Sequence, residues 1–211
     1  MRKLKLALAI FISIFPFNFL RLFAYKFILG YKIKGAKIGF GTIIAVDKAE
    51  IAACKIGWGN LFTGPMTMKI GEGASIGYRN TFSCGYWTTR PEYTDANYAR
   101  NLLIAEKTLI TSQHYIDVAG AFTLGTGSWI AGFSSQFWTH GAGIFDRDIS
   151  IGKNCYLGSA VRFAPGASIG NDVLVAMGSV VTQKFDADNA MLGGVPAKVL
   201  KENYDWQEKA P

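Results

Sequence analysis

A six-residue repeat in the last third of the chain restricts its fold more than any other feature. Between positions 151 and 186 the sequence divides without a gap into IGKNCY, LGSAVR, FAPGAS, IGNDVL, VAMGSV and VTQKFD. The first position of every unit is apolar, and the second is Gly or Ala in all units but the last. An α-helix has a period of 3.6 residues and does not generate such a repeat.

The same unit occurs earlier in the chain. Further copies start at Ile38, Ile56, Ile70, Ile76 and Leu124. Each unit predicts a short strand followed by a turn, and three units predict one turn of a solenoid of about 18 residues. The apolar residue points inward, and the small residue beside it permits a tight corner. The 24 glycines, which have no collagen-like period, fit many such corners.

These repeats resemble the hexapeptide-repeat acyltransferases, a family that includes galactoside, maltose, serine and polysaccharide O-acetyltransferases. The resemblance covers about residues 35–200 and implies an all-β solenoid, a left-handed parallel β-helix, although crossover connections are usually right-handed. We expect an N-terminal helical segment over 1–34, the β-helix over 35–192 and a C-terminal tail over 193–211. The resemblance also implies a homotrimer with acetyl-CoA bound between subunits.

The positive charge of the chain is concentrated at its N-terminus. The formal net charge is +7, yet residues 1–46 carry eight basic side chains and no acidic one. The remainder is therefore close to neutral, which argues against a nucleic-acid-binding stripe on the main body. The basic end predicts contact with an anionic surface.

The N-terminal segment also contains a run of apolar residues. Leu6 to Leu20 is free of charge, but a membrane-spanning helix needs roughly 20 such residues. We expect two short helices, over 2–15 and 17–29, that lie in the cytoplasmic membrane interface, cap the open end of the β-helix, or do both. A secretory signal is disfavoured because no small-x-small cleavage site follows. The expected location is cytoplasmic, and it is peripheral at the inner face of the cytoplasmic membrane if the helices bind lipid.

The cysteines do not indicate a metal site or a disulfide framework. Cys54, Cys84 and Cys155 are far apart, odd in number and outside any CxxC spacing. We expect them to be small buried hydrophobes in a reducing compartment, and we predict no metal.

The repeat breaks in two places, and insertions in solenoids often lie on the functional face. The first break, over 85–101, is rich in aromatic residues, and the second, over 139–148, opens with His140. Tyr86, Trp87 and Trp138 are candidate acceptor-binding residues, because aromatic rings near donors suit a sugar. The alternative is that the aromatic residues only pack a loop onto the solenoid.

Two histidines are available as a general base. Thr139-His140 resembles the Thr-His pair that carries the catalytic base of sugar acetyltransferases. The resemblance implies direct transfer, in which His140 deprotonates an acceptor hydroxyl; an imidazole pKa of about 6.5 suits that task. His114 and Asp117 are second candidates. His114 occupies the usually small fifth position of the unit that begins at Ile110, so it either lines the cleft or is a satisfied structural group.

The resemblance also implies where acetyl-CoA binds. The stretch AMGSVVTQK and the ending GGVPAKVLK match the family pattern, with Met177 and Gln183 as departures. The implied cofactor-binding residues are Gly158, Ser159, Met177, Gly178, Thr182, Lys198 and Lys201.

Two other functions remain open from the sequence, and a third is disfavoured by the number of histidines. An N-acetyltransferase acting on an amino sugar and a non-catalytic β-helix scaffold are the main alternatives. A zinc hydratase of the same fold would need three histidine ligands, whereas this chain has two histidines.

Overall fold

The computed structural model describes residues 2–208, so residue 1 of the predicted helical segment and residues 209–211 of the predicted tail lie outside it. The helices and strands, in chain order, are α1 (Arg2–Ser13), α2 (Asn18–Phe27), β1 (Lys32–Ile33), β2 (Lys37–Ile38), β3 (Ile43–Ile51), β4 (Lys55–Ile56), β5 (Leu61–Ile70), β6 (Ser75–Ile76), β7 (Thr81–Ser83), β8 (Asn101–Ile104), β9 (Leu109–Ser112), β10 (Tyr115–Asp117), β11 (Ala121–Leu124), β12 (Trp129–Phe133), β13 (Gln136–Phe137), β14 (Ile149–Ile151), β15 (Tyr156–Leu157), β16 (Arg162–Phe163), β17 (Ser168–Ile169), β18 (Leu174–Val175), β19 (Val180–Val181), β20 (Lys184–Phe185), β21 (Met191–Gly194) and β22 (Ala197–Lys201).

The strands form three faces. The first face runs from β3 and β5 through β7, β10, β13, β16 and β19. The second runs from β1, β3 and β5 through β8, β11, β14, β17 and β20, and the third from β2 to β22. The long strands β3 and β5 belong to two faces: Leu61–Thr63 pair with β7, whereas Thr67–Ile70 pair with β8. Within residues 2–208 the strands pair in parallel, except β21 with β22.

The register of the strands has the predicted repeat length. Tyr156 pairs with Leu174, and Ser150 pairs with Ser168, each 18 residues further along the chain. Three six-residue units therefore return the backbone to the same face, one layer further on.

The core consists of three inward-facing ladders, one from each face. Their members are almost fully buried apolar residues: Ile44, Phe62, Phe82, Ile116, Phe137, Phe163 and Val181 on the first face; Ile51, Ile70, Ile104, Leu124, Ile151 and Ile169 on the second; and Ile38, Ile56, Ile76, Ile110, Ile130, Leu157, Val175 and Leu192 on the third. These residues are the first positions of the six-residue units, together with their counterparts in the less regular turns. Similar side chains stack on one another from turn to turn, which removes them from water and supplies most of the driving force for folding.

Buried polar side chains connect successive turns at one corner. The Asn60 amide donates to the carbonyl of Gly77 at 2.8 Å, and the Asn80 amide donates to the carbonyl of Thr111 at 2.9 Å. The Asn80 amide also donates to Oδ1 of Asn60 at 3.1 Å. These bonds satisfy turn carbonyls that the strands leave without partners.

The two N-terminal helices cover the end of the stack where the chain enters it. They begin and end within the predicted ranges, and their inner sides bury Ala9, Ile12, Ala24 and Tyr25. The buried guanidinium of Arg21 donates to the carbonyl of Ile38 from Nε at 3.0 Å and from Nη2 at 2.8 Å. In the part of the chain described, neither helix is long and apolar enough to cross a membrane.

Candidate active site

The two breaks in the repeat meet at one edge of the first face. The first lies between β7 and β8 and contains short 3-10 helices at Tyr86–Thr89 and Pro91–Ala96; the second lies between β13 and β14. The ring of Trp87, from the first, packs edge-on against the ring of His140, from the second, with centroids 5.4 Å apart. The guanidinium of Arg147 lies 4.1 Å from the centroid of the Tyr98 ring. Segments about 50 residues apart in sequence thus form one site.

His140 is paired with Asp117, the last residue of β10. Nδ1 of His140 lies 2.9 Å from Oδ2 of Asp117; the carboxylate is 4% exposed and the imidazole 37% exposed. An ionised carboxylate can only accept, so Nδ1 carries the proton and donates it. Nε2 is then the unprotonated nitrogen with a free lone pair, as a general base requires.

The hydroxyl and amide of Thr139 hold the carboxylate in place. Oδ2 of Asp117 accepts from the backbone N–H of Thr139 at 3.0 Å and lies 2.5 Å from the Thr139 hydroxyl. The same hydroxyl accepts from the N–H of Gly120 at 2.9 Å. In the sequence, nothing but its position beside His140 distinguishes Thr139.

Two tryptophan rings lie beside His140. Trp138 lies 6.1 Å from the His140 ring, nearly perpendicular to it, and Tyr115 packs 4.8 Å from Trp138. The structure therefore brings two of the three candidate acceptor residues, Trp87 and Trp138, to His140. The third, Tyr86, lies elsewhere: the Arg2 guanidinium stacks over its ring at 4.7 Å. Tyr115 has no distinguishing signal in the sequence.

His114 lies inside the solenoid, at the same corner as the buried side chains of Asn60 and Asn80. We call these three stacked residues the corner ladder. Its Nδ1 accepts from the backbone N–H of Ser135 at 3.1 Å, so Nε2 carries the proton, and Nε2 lies 2.9 Å from the Thr111 hydroxyl. Its own N–H donates to Oδ1 of Asn80 at 2.9 Å. Burial lowers the pKa of His114 to about 4, because desolvation disfavours the charged form. Both ring nitrogens are satisfied, so these contacts favour the structural interpretation over a role in the cleft.

Arg147 is a buried residue of the site that has no signal in the sequence. It is 4% exposed, and its Nε and Nη1 have no hydrogen-bond partner among residues 2–208. Its guanidinium faces the Tyr98 ring, and Tyr98 in turn packs edge-on against Trp87 at 5.0 Å. This stack links the second insertion to the first and supports the ring beside His140.

Gly158 and Ser159, two of the residues expected to bind acetyl-CoA, lie at a different corner from His140. Gly158 and Ser159 precede β16, whereas His140 follows β13, and these neighbouring parallel strands pair at Gln136 and Arg162. The two groups therefore lie at opposite edges of the first face within one chain.

The corner at Gly158 is closely packed, whereas that at Gly178 is open. A Cβ on Gly158 would lie 2.8 Å from the backbone nitrogen of Met177, so glycine is required there by the stacking of the turns. Gly178 adopts a φ of +72°, and a Cβ there would meet nothing within 4 Å. Met177 is exposed beside Gly178, and Lys198 is exposed on β22 with Lys201. Thr182 is also exposed, but it follows β19 as Trp138 follows β13, so it lies at the edge of the first face that carries His140.

The cysteines lie away from solvent. Cys54, Cys84 and Cys155 are free and buried, and burial raises the pKa of each thiol to about 11. A thiol with such a pKa is a poor nucleophile at neutral pH. Across residues 2–208, no three His, Cys, Asp or Glu side chains lie close enough to hold a metal ion.

Sequence comparisons match the most regular part of the chain. Residues 148–183 match the family model for the hexapeptide repeat of succinyl-transferase. The galactoside O-acetyltransferase of Escherichia coli K12 is 39% identical over 62 residues, which are 29% of this chain and 30% of that protein. A putative lipopolysaccharide biosynthesis O-acetyl transferase of the same strain is 41% identical over 61 residues, again 29% of this chain and 30% of that protein. The chain thus spans under a third of the length of either relative.

Structural comparisons extend the likeness of fold over nearly the whole chain. A hexapeptide-repeat acetyltransferase from Vibrio cholerae O1 biovar eltor, solved in complex with acetyl coenzyme A, superposes with a TM-score of 0.52 at 17% identity, covering 97% of this chain and 87% of that one. An N-acyltransferase from Bacillus cereus superposes with a TM-score of 0.52 at 14% identity, over 86% of this chain and 89% of that one. Residues 148–183 are thus a hexapeptide repeat, and the chain has the fold of the hexapeptide-repeat acetyltransferase from V. cholerae.

Proposed function

We propose that this protein transfers an acetyl group from acetyl-CoA to a hydroxyl of a bacterial sugar or surface polysaccharide. The observation that carries the proposal is the pairing of His140 with Asp117 at the point where both insertions meet. The two E. coli relatives, which match over part of the chain, are both named O-acetyltransferases and favour a hydroxyl over an amine as acceptor.

The open corner around Gly178 suits the acyl donor. An extended thioester arm needs exposed backbone and room for close approach, and Gly178 provides both. The ammonium groups of Lys198 and Lys201 are exposed on β22 and can meet phosphate groups as point charges. When bound, acetyl-CoA supplies an acetyl carbonyl activated by its bond to sulfur.

His140 moves the proton in the proposed reaction. Its Nε2 accepts the proton of the acceptor hydroxyl while that oxygen attacks the acetyl carbonyl. Asp117 stabilises the imidazolium that forms, and its hydrogen bond to Nδ1 keeps the ring in the orientation this transfer needs. The imidazolium then returns the proton to the departing thiolate as the carbon–sulfur bond breaks, leaving an acetyl ester on the acceptor. No covalent acyl-enzyme is required.

We further propose a homotrimer and a left-handed sense of the β-helix, both from the family resemblance. A trimer is supported by the position of the candidate residues, since His140 and the Gly158–Ser159 corner lie at opposite edges of one face. A neighbouring copy can place its own Gly158 corner opposite His140 and so complete the site. A sedimentation mass of one chain would contradict the trimer.

The test of the proposed function compares the wild type with His140→Ala and His140→Asn. Purified proteins are incubated with acetyl-CoA and candidate glycans, and release of free thiol is followed together with the mass of the glycan. We expect kcat to fall about 10²- to 10⁴-fold in both variants, the usual contribution of a general base. Acetyl groups removable by mild base identify ester products, whereas resistant groups identify amides. Undiminished turnover in both variants would refute the proposal.

A further inference from the structure

The outer sides of the two N-terminal helices are apolar. Phe19, Phe23 and Phe27 of α2 are each 60% exposed or more, and Phe11 and Ile14 at the end of α1 and just beyond it are more than half exposed. We call this surface the helical apolar face; it comprises Leu4, Ile10, Phe11, Ile14, Phe17, Phe19, Phe23 and Phe27. A surface helix of a water-soluble protein normally places polar residues outward, and large apolar patches mark interaction sites.

Positive charge borders the helical apolar face. Lys3 near the start of α1 and Lys26 near the end of α2 are exposed, and so is Lys34, which directly follows β1. No acidic residue precedes Asp47 in the sequence. A rim of lysines around exposed phenylalanines is the pattern of helices that lie in the plane of an anionic membrane.

A groove continues the helical apolar face onto the second face of the solenoid. Phe27, Ile33 and Leu103 line it together with Lys26 and Lys34. Glu50 in the same groove is paired with Lys32 at 2.9 Å and Lys69 at 3.6 Å. Within residues 2–208, Lys26 and Lys34 make no ion pair, so their charges remain available to an external anion.

We propose that the helical apolar face binds an anionic lipid surface, with α1 and α2 lying in the headgroup region. Each helix is too short to span a bilayer, at 12 and 10 residues. Each has apolar residues on two sides: the inner side packs on the stack, and the outer side is free for lipid. A second copy of this chain is the less favourable occupant, because pairing two such faces would bring two lysine rims of the same sign together. The proposal does not depend on acetyl transfer.

Vesicle sedimentation tests the proposal. The full chain is mixed with vesicles of phosphatidylcholine and phosphatidylglycerol in a 7:3 ratio, and with vesicles of phosphatidylcholine alone. We expect the wild type to bind the anionic vesicles. The double variant Phe19→Asp/Phe23→Asp should bind them at least about tenfold more weakly. Lys3→Glu/Lys26→Glu should show a reduced preference for anionic lipid. Leu200→Asp is the matched control, since Leu200 is also exposed but lies on β22, the last strand of the third face.

Two outcomes would overturn the proposal. One is binding by the double variant equal to that of the wild type. The other is failure of the wild type to bind vesicles. If the sedimentation mass then falls in Phe19→Asp/Phe23→Asp and in no other variant, the face binds a second copy of the chain. Because both side chains are exposed, the double variant should retain the wild-type circular dichroism spectrum, so loss of binding is separable from loss of fold.

Discussion

Nδ1 of His140 lies 2.9 Å from Oδ2 of Asp117, although the two residues belong to different turns of the solenoid. Asp117 ends a regular strand, and His140 opens the second insertion. The carboxylate is buried and anchored by Thr139, whereas the imidazole is partly open to solvent. A rigid buried group thus orients an accessible one, which is the arrangement that a positioned base requires.

Asp117→Asn should impair turnover without weakening substrate binding. The amide keeps the size of the side chain but can donate to Nδ1, which would favour the tautomer with the proton on Nε2. We expect kcat to fall by at least about tenfold, with little change in the KM for acetyl-CoA. Steady-state kinetics on the purified variant measure both values. A rise in KM at constant kcat would assign Asp117 to binding instead of positioning.

Trp87→Ala should weaken binding of the acceptor more than binding of acetyl-CoA. The Trp87 ring borders His140, whereas the Gly158–Ser159 corner, where acetyl-CoA is expected, lies at the opposite edge of the face. An aromatic contact of this kind contributes about 0.5–1.5 kcal/mol, so we expect the KM for the acceptor to rise roughly three- to tenfold. Trp58→Ala is the control, because Trp58 is an exposed tryptophan that stacks on Tyr78 at 5.2 Å, outside both insertions. Equal effects of the two variants on acceptor KM would contradict a role for Trp87.

His114 should make the protein less stable in acid. The pKa of His114 is about 4 in the folded protein, below the ordinary value of 6.5 that applies to the unfolded chain. Between these two pH values, His114 therefore binds a proton in the unfolded chain but not in the native one. The free energy of unfolding should therefore fall as the pH decreases from 6.5 to 4, by up to about 3 kcal/mol from this residue. Above pH 6.5 the ring is neutral in both states, and the effect is absent.

Urea titrations at pH 4.5 and pH 7 measure this effect. His114→Asn is the matched variant, because asparagine occupies the corresponding corner of the preceding turns at Asn60 and Asn80. We expect a smaller difference between the two pH values in His114→Asn than in the wild type. An identical difference in the two proteins would show that His114 does not titrate as its burial implies.

Asn80→Ala should destabilise the solenoid. The Asn80 side chain is fully buried and makes hydrogen bonds to Asn60, the carbonyl of Thr111 and the N–H of His114. Its removal leaves buried polar groups unsatisfied, at a cost of about 2–4 kcal/mol in the free energy of unfolding. Asn101→Ala, at an exposed strand position, should cost less than about 0.5 kcal/mol by the same urea titration. Similar losses in both variants would contradict the corner ladder as a source of stability.

Much of the fold could be predicted because the repeat is local. The apolar first position of each unit, as in Leu157 and Val175, requires only that the side chain face inward, and the structure buries both residues. The break in the repeat also marks the position of His140, and its role as a base stays a prediction. Arg147 and Tyr115 could not, because their roles depend on rings that come from distant turns.

The sequence by itself determined the layered parallel architecture, since a six-residue period of apolar and small residues has few other ways to bury its core. It also marked the two insertions and both N-terminal helices. Only the tertiary structure decided which histidine is paired with Asp117, that Tyr86 faces Arg2 rather than His140, and that the helices leave their phenylalanines exposed. The physical reason is that hydrogen bonds and ring contacts across turns depend on distances in space, and the spacing of residues along the chain does not specify those distances where the repeat is interrupted.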